Sequence, residues 1–178
     1  AGYQQMQEGF LSLVPPGDVL MDPDITGIGG GTSNGSTSFN VVTDSPSGYQ
    51  VTISAENSPA MERVSGSETI ANHPGGATPD FSFTFGTSEA IFGYTVEGSD
   101  IASNFQDNGA LCNAGTSDTV DACWRGLTVG TALIAEDTDA NFPAGATTTL
   151  KFRVGVGSTA GVIAGTYVAT TTITALPL

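Results

Sequence analysis

The chain has 178 residues, of which 4 are Lys or Arg and 18 are Asp or Glu, for a formal net charge of -14. Four cations are too few to neutralise a run of phosphates, so the composition argues against nucleic acid as a partner, and the acidity equally disfavours anionic membranes. With 39% hydrophobic and only 12% charged residues, it describes a folded protein surfaced by Ser, Thr, Gly and Asn, as in extracellular β-proteins, and not a disordered acidic chain.

Residues 1–17 read as an N-terminal arm and residues 18–178 as one β-sandwich domain. In AGYQQMQEGFLSLVPPG, Gln4 to Glu8 suits a helical turn or an extended segment. Phe10, Leu11, Leu13 and Val14 then supply apolar surface before Pro15-Pro16. A terminal strand of this kind either folds onto its own domain or reaches into a neighbour. No hydrophobic segment of the signal-peptide or type IV pilin kind is present, so the chain is expected to be mature and soluble. No apolar run approaches the roughly 20 residues of a membrane span, so no membrane insertion is expected.

Beyond the arm, helical patterning is nearly absent and period-two alternation is frequent. Val19 to Met21 is a short strand candidate. Gly27 to Gly35, GIGGGTSNG, reads as a flexible connector, followed by a strand at Thr37 to Thr43. Asp44-Ser-Pro-Ser-Gly48 predicts a hairpin connection to the next strand. There Tyr49, Val51, Ile53 and Ala55 alternate with Gln50, Thr52 and Ser54. Asn72-His-Pro-Gly-Gly76 is a loop. Phe81, Phe83 and Phe85 alternate with Ser82 and Thr84 and predict a further strand. Ile91 to Val96 and Cys123 to Val129 are shorter candidates, separated by a loop at Asp107-Asn-Gly109.

Phe142-Pro-Ala-Gly145 and Ser158-Thr-Ala-Gly161 precede the last two strands. In the first, Leu150, Phe152, Val154 and Val156 alternate with Lys151, Arg153 and Gly155. The second, Tyr167 to Ala175, is rich in β-branched residues. About seven to nine short strands with frequent turns predict an all-β fold, an antiparallel β-sandwich of jelly-roll type with an N-terminal extended arm.

Few residues suggest chemistry. Cys112 and Cys123 lie within NGALCNAGTSDTVDACWRG. One His and no CxxC leave a metal site short of ligands. The pair reads as a structural disulfide in an oxidising compartment, with two free buried thiols as the alternative. His73 lacks a G-x-S-x-G partner, so it reads as a solvated loop residue, and no enzymatic constellation stands out. No cofactor is expected, with calcium as the one candidate. Asp22 and Asp24, and Asp137 and Asp139, have the oxygen density Ca²⁺ prefers, without EF-hand spacing. Asn34 opens the sequon Asn34-Gly-Ser36, a possible glycosylation site in its Gly/Ser loop. Trp124, Tyr3, Tyr49, Tyr94 and Tyr167 are the aromatics available for sugar stacking, although Trp124 beside Cys123 suits a core position.

The segments SPSGYQVTISAENSPAM, FGYTVEGSD and ATTTLKFRVGVGSTAGVIAGTYVATTTITA resemble those of secreted microbial surface proteins. In plan the chain is similar to the TasA-type biofilm fibre proteins and the archaeal bundling pilins. That resemblance implies jelly-roll subunits assembling by donor-strand exchange, with Gly2 to Val14 in the donor position. The expected function is therefore a structural subunit of an extracellular filament or surface layer, whose partners are copies of itself. A secreted glycan- or cell-surface-binding module and a phage or virus decoration or tail protein are the alternatives. Subunits each carrying -14 repel one another. Filament contacts are therefore expected to be backbone pairing and apolar side chains, with any exception at Arg63, Arg125, Lys151 or Arg153.

Overall fold

A computed structural model describes residues 9–178 of the chain. The strands among them are β1 (Leu11–Val14), β2 (Gly31–Thr43), β3 (Tyr49–Ala55), β4 (Met61–Arg63), β5 (Thr69–Asn72), β6 (Ala90–Glu97), β7 (Ala132–Asp137), β8 (Ala146–Val156), β9 (Tyr167–Ala169) and β10 (Thr171–Pro177). One 3-10 turn lies at Ser103–Phe105, and no α-helix occurs among the described residues. The all-β expectation holds. A large sheet has the order β1-β2-β8-β6-β5-β4-β9, and a small one the order β10-β3-β7.

Period two explains the core. On β3, Tyr49, Val51, Ile53 and Ala55 are buried while Gln50, Thr52 and Ser54 are partly exposed. On β8, Leu150, Phe152, Val154 and Val156 point inward. Phe92 of β6 stacks on Phe152 with centroids 5.9 Å apart. These residues form one core with Phe39 and Val41 of β2 and Ile134 of β7, so both sheets share it. Each fully buried side chain of this size contributes about 1.5–3 kcal/mol.

Several expectations are corrected. Only Gly27 to Gly30 of the glycine-rich stretch is a connector: β2 begins at Gly31, which lies opposite Val156, and the ladder continues to Val41 opposite Ala146. Main-chain pairing with β8 overrides the weak strand propensity of Gly and Ser. Asp44 to Gly48 does not close a hairpin, because β2 and β3 belong to different sheets. It is an arch between layers. β5 and β6 run parallel, the one parallel pair among the described strands. Val19 to Met21 and Cys123 to Val129 form no strands, only isolated bridges at Asp22, Trp124 and Arg125.

The arm, in its described part, takes the first of its two alternatives and folds onto its own domain. Phe10 to Val14 does not project; β1 lies along its own β2, with Leu11 opposite Thr43 and Val14 opposite Asn40. Gln4 to Glu8 and Tyr3 lie outside the described residues.

Phe81, Phe83 and Phe85 keep their predicted alternation of burial without joining a sheet. They cover the outer face of the large sheet instead. Their rings need flat ground, which glycine provides. A Cβ on Gly155 of β8 would collide with the Phe85 ring, and one on Gly93 of β6 would stand 2.8 Å from the His73 Cβ. Phe83 stacks on His73 at 5.0 Å and meets Trp124 edge-on at 5.2 Å.

Candidate functional site

The most distinctive region is the side of the molecule where the two sheets end. There β1 forms one edge of the large sheet and β10 one edge of the small sheet, and the two strands approach each other.

β1 is held at its start. The Phe10 amide donates to Asp44 Oδ1 at 2.6 Å, and the Thr43 hydroxyl donates to the Phe10 carbonyl at 2.8 Å. The Phe10 ring meets Phe142 edge-on at 6.3 Å. Leu11 and Leu13 are half-buried against the core, whereas Phe10 and Val14 are exposed. Beyond them Pro15 and Pro16 stiffen the chain.

β9 and β10 form one extended run interrupted only at Thr170. β9 pairs with β4, Tyr167 opposite Arg63, and β10 pairs with β3, Thr171 opposite Ala55. Further bonds run from the Val64 amide to the Thr166 carbonyl at 2.9 Å and from the Glu56 amide to the Thr170 carbonyl at 3.0 Å. The opposite side of Tyr167 to Pro177 has no backbone partner among the described residues. Beside it opens a cleft of about 550 Å³ that reaches Phe92, Leu150 and Phe152 between walls of Leu13, Val19 and Ile173. Asp18 is the one charged residue on its lining. An apolar cleft beside unpaired backbone suits an extended, uncharged peptide.

The remaining candidates fall elsewhere. Cys112 and Cys123 are joined in a disulfide. Its loop folds around Asp107, whose carboxylate accepts from the Gly109 amide at 2.7 Å, the Thr119 amide at 2.9 Å and the Thr119 hydroxyl at 2.8 Å. Burial pushes the Asp107 carboxyl up, but the Thr119 and Gly109 donors outweigh it and hold it below its ordinary range.

Asp22 is committed through its backbone to Asn34, and Asp137 Oδ1 accepts from the Thr138 amide in a local turn. Among the described residues no group of three or more His, Cys, Asp or Glu converges as a metal site. Asn34 sits on β2, opposite Arg153, whose Nε donates to its side chain at 2.6 Å; it is not in a loop.

His73 is corrected: it is 3% exposed, not solvated. Its Nδ1 accepts from the Gly75 amide at 3.1 Å, and burial lowers its pKa, opposed by Asp80. The enclosing residues Phe83 and Gly93 lie ten and twenty residues along the chain, so the sequence immediately around His73 carries no sign of it. Trp124, Tyr49 and Tyr94 are buried, whereas Tyr167 is partly exposed.

Three cations have acidic partners within the chain. Arg63 meets Glu68 at 2.6 Å, Lys151 meets Glu97 at 2.7 Å and Asp121 at 3.1 Å, and Arg153 meets Asp121 at 3.7 Å. Burial would lower the Lys151 pKa, but Glu97 and Asp121 overcome it and raise it. Arg125 Nε and Tyr94 Oη are buried without partners among the described residues. No helix of the described residues is long and apolar enough to cross a membrane. Comparison with known protein families, curated proteins and solved structures finds no match to this chain.

Proposed function

We propose that this chain is a structural subunit of an extracellular filament or surface layer, a jelly-roll-type sandwich that polymerises when its N-terminal strand enters a neighbouring copy. The observation that carries the reading is the open side of the sandwich, where a short apolar edge strand and an apolar cleft with unpaired backbone lie together. Donor and acceptor chemistry are thus present in one chain. In the isolated chain β1 occupies its own β2. Exchange would reproduce the same contacts in trans, and its head-to-tail geometry does not close, so a filament results.

Three further features support this role. Leu20 is 92% and Ile28 95% exposed, in the segment between the two prolines and β2. Apolar side chains left bare in this way suit a surface covered on assembly. With Arg63, Lys151 and Arg153 paired internally, contacts between subunits fall to backbone and apolar groups. The disulfide suits an oxidising, extracellular setting.

The test is electron microscopy of the purified chain beside a form lacking residues 1–14. The full chain is expected to form fibres or sheets, and the shortened one to remain soluble and monomeric. Identical fibres from the shortened chain would rule out strand insertion.

A further inference from the structure

From Val154 to Leu178 the chain carries no Asp, Glu, Lys or Arg, although the whole bears a net charge of -14. This stretch includes β9 and β10. Thr172, Thr174 and Leu176 of β10 face outward and are exposed. Beside them the register places Ser54, Thr52 and Gln50 of β3. The outer surface of the small sheet is therefore uncharged across two adjacent strands.

The edge of β10 also lacks a backbone partner among the described residues. Soluble proteins protect a free edge with lysines, prolines, bulges or a covering segment. From Thr171 to Leu176 the strand has none of these residues, its one proline being the terminal Pro177, and its register with β3 is unbroken. The opposite edge of the small sheet differs: β7 is covered in part, through the bonds from the Glu136 amide to Asp100 at 2.8 Å and from the Ala102 amide to Ile134 at 3.0 Å.

We propose that the β9–β10 edge is a docking surface for the same edge of a second copy. The two β10 strands pair antiparallel about a two-fold axis, so that the small sheets become one sheet running through both copies. The charge distribution selects this occupant. Two chains of like charge repel wherever carboxylates meet, and β9 and β10 themselves bring none to this edge, with Asp18 the nearest charge on the cleft beside it. An antiparallel edge is self-complementary under a two-fold axis, so one strand supplies both halves of the contact. Edge pairing and insertion of a strand beside the same unpaired backbone compete for this edge: pairing closes at two copies, whereas insertion continues without end.

The experiment is a concentration series of the full chain in analytical ultracentrifugation, at low salt and at higher salt. A species of twice the 18.0 kDa chain mass is expected, and salt strengthens it by screening the net charge. Thr172→Lys with Thr174→Lys places like charges across the two-fold axis and raises the dimer dissociation constant at least about tenfold. An unchanged circular dichroism spectrum shows that the variant folds. Leu111→Lys with Val120→Lys, two exposed changes in the disulfide loop, leaves the dimer intact. A chain that stays monomeric at every concentration overturns the proposal, and so does a dimer indifferent to the lysines. An open-ended polymer abolished by removal of residues 1–14, and untouched by the lysines at Thr172 and Thr174, favours strand exchange and likewise overturns edge pairing.

Discussion

The Arg153 guanidinium lies 4.4 Å from the ring centroid of Trp124, and thereby closes the outer face of the large sheet. The indole N–H is satisfied separately by the Asp121 carbonyl at 2.8 Å. The arginine therefore acts as a lid whose stem and planar head shield an aromatic cluster. Arg153→Ala is expected to destabilise the fold by about 1–2 kcal/mol, a fall of roughly 2–8 °C in Tm for a domain of this size. Trp124 is the sole tryptophan, so its emission should shift to the red. Arg153→Lys should restore little, because an ammonium does not stack. Native-like emission and Tm in the alanine variant would contradict the lid.

Glycine at two outward strand positions is the other half of this cover. Gly155→Ala is expected to cost about 1–3 kcal/mol through overpacking against Phe85. The same change in a Phe85→Ala background should cost clearly less, because the obstruction has gone. A double-mutant cycle measured by chemical denaturation checks this, with a coupling of about 0.5–3 kcal/mol expected. Simple additivity would mean that Phe85 does not press on β8.

These pairs also explain what was legible beforehand. Tyr49 to Ala55 and Leu150 to Val156 read correctly because each residue's surroundings are decided by the two faces of its own strand. Phe81 to Phe85 has the same alternation, but a ring needs only a surface to lie on, whereas a ladder needs a partner backbone. The pattern therefore predicted burial correctly and sheet membership wrongly. Gly31 to Ser36 is the reverse case, a strand created by β8 and invisible in its own side chains. At the candidate site, the apolar character of Leu11 and Leu13 was plain. Which edge receives them depends on strand order, and no local pattern encodes that.

The disulfide loop gives a third prediction. Asp107→Ala removes the acceptor of three hydrogen bonds and strands the Thr119 and Gly109 amides, costing about 2–3 kcal/mol. The folded-state pKa of Asp107 is depressed. Its contribution is thus fully present above the unfolded value of about 3.9 and is lost as pH falls through the folded value. The stability gap between wild type and variant should be constant from pH 7 down to about 5 and shrink below about 4. A gap that is independent of pH down to pH 2 would show that the carboxylate charge is not involved.

His73 titrates with the opposite chemistry over a different range. Its ring is stacked on Phe83, its Nδ1 accepts a proton bond from Gly75, and Asp80 Oδ2 stands 3.8 Å away. Arg153 reaches the other side of the cluster, 5.6 Å from the Phe83 centroid. Burial holds the folded-state pKa below the ordinary value, with Asp80 only partly offsetting it. The unfolded chain therefore binds the proton more readily. Stability is unaffected by this residue above about pH 6.5, and falls as pH drops from there toward the folded value, by at most about 1.4 kcal/mol per pH unit. Protonation also turns Nδ1 from acceptor to donor, facing the Gly75 N–H, which loosens the turn beneath Phe83. His73→Phe keeps a ring against Phe83 and cannot titrate. Unfolding free energies measured at intervals from pH 7.5 to 5 should decline more steeply in wild type than in His73→Phe, with a matching change in Trp124 emission before global unfolding. Parallel curves would mean that His73 keeps its neutral form in both states across this range, and that the aromatic cover does not respond to acid through it.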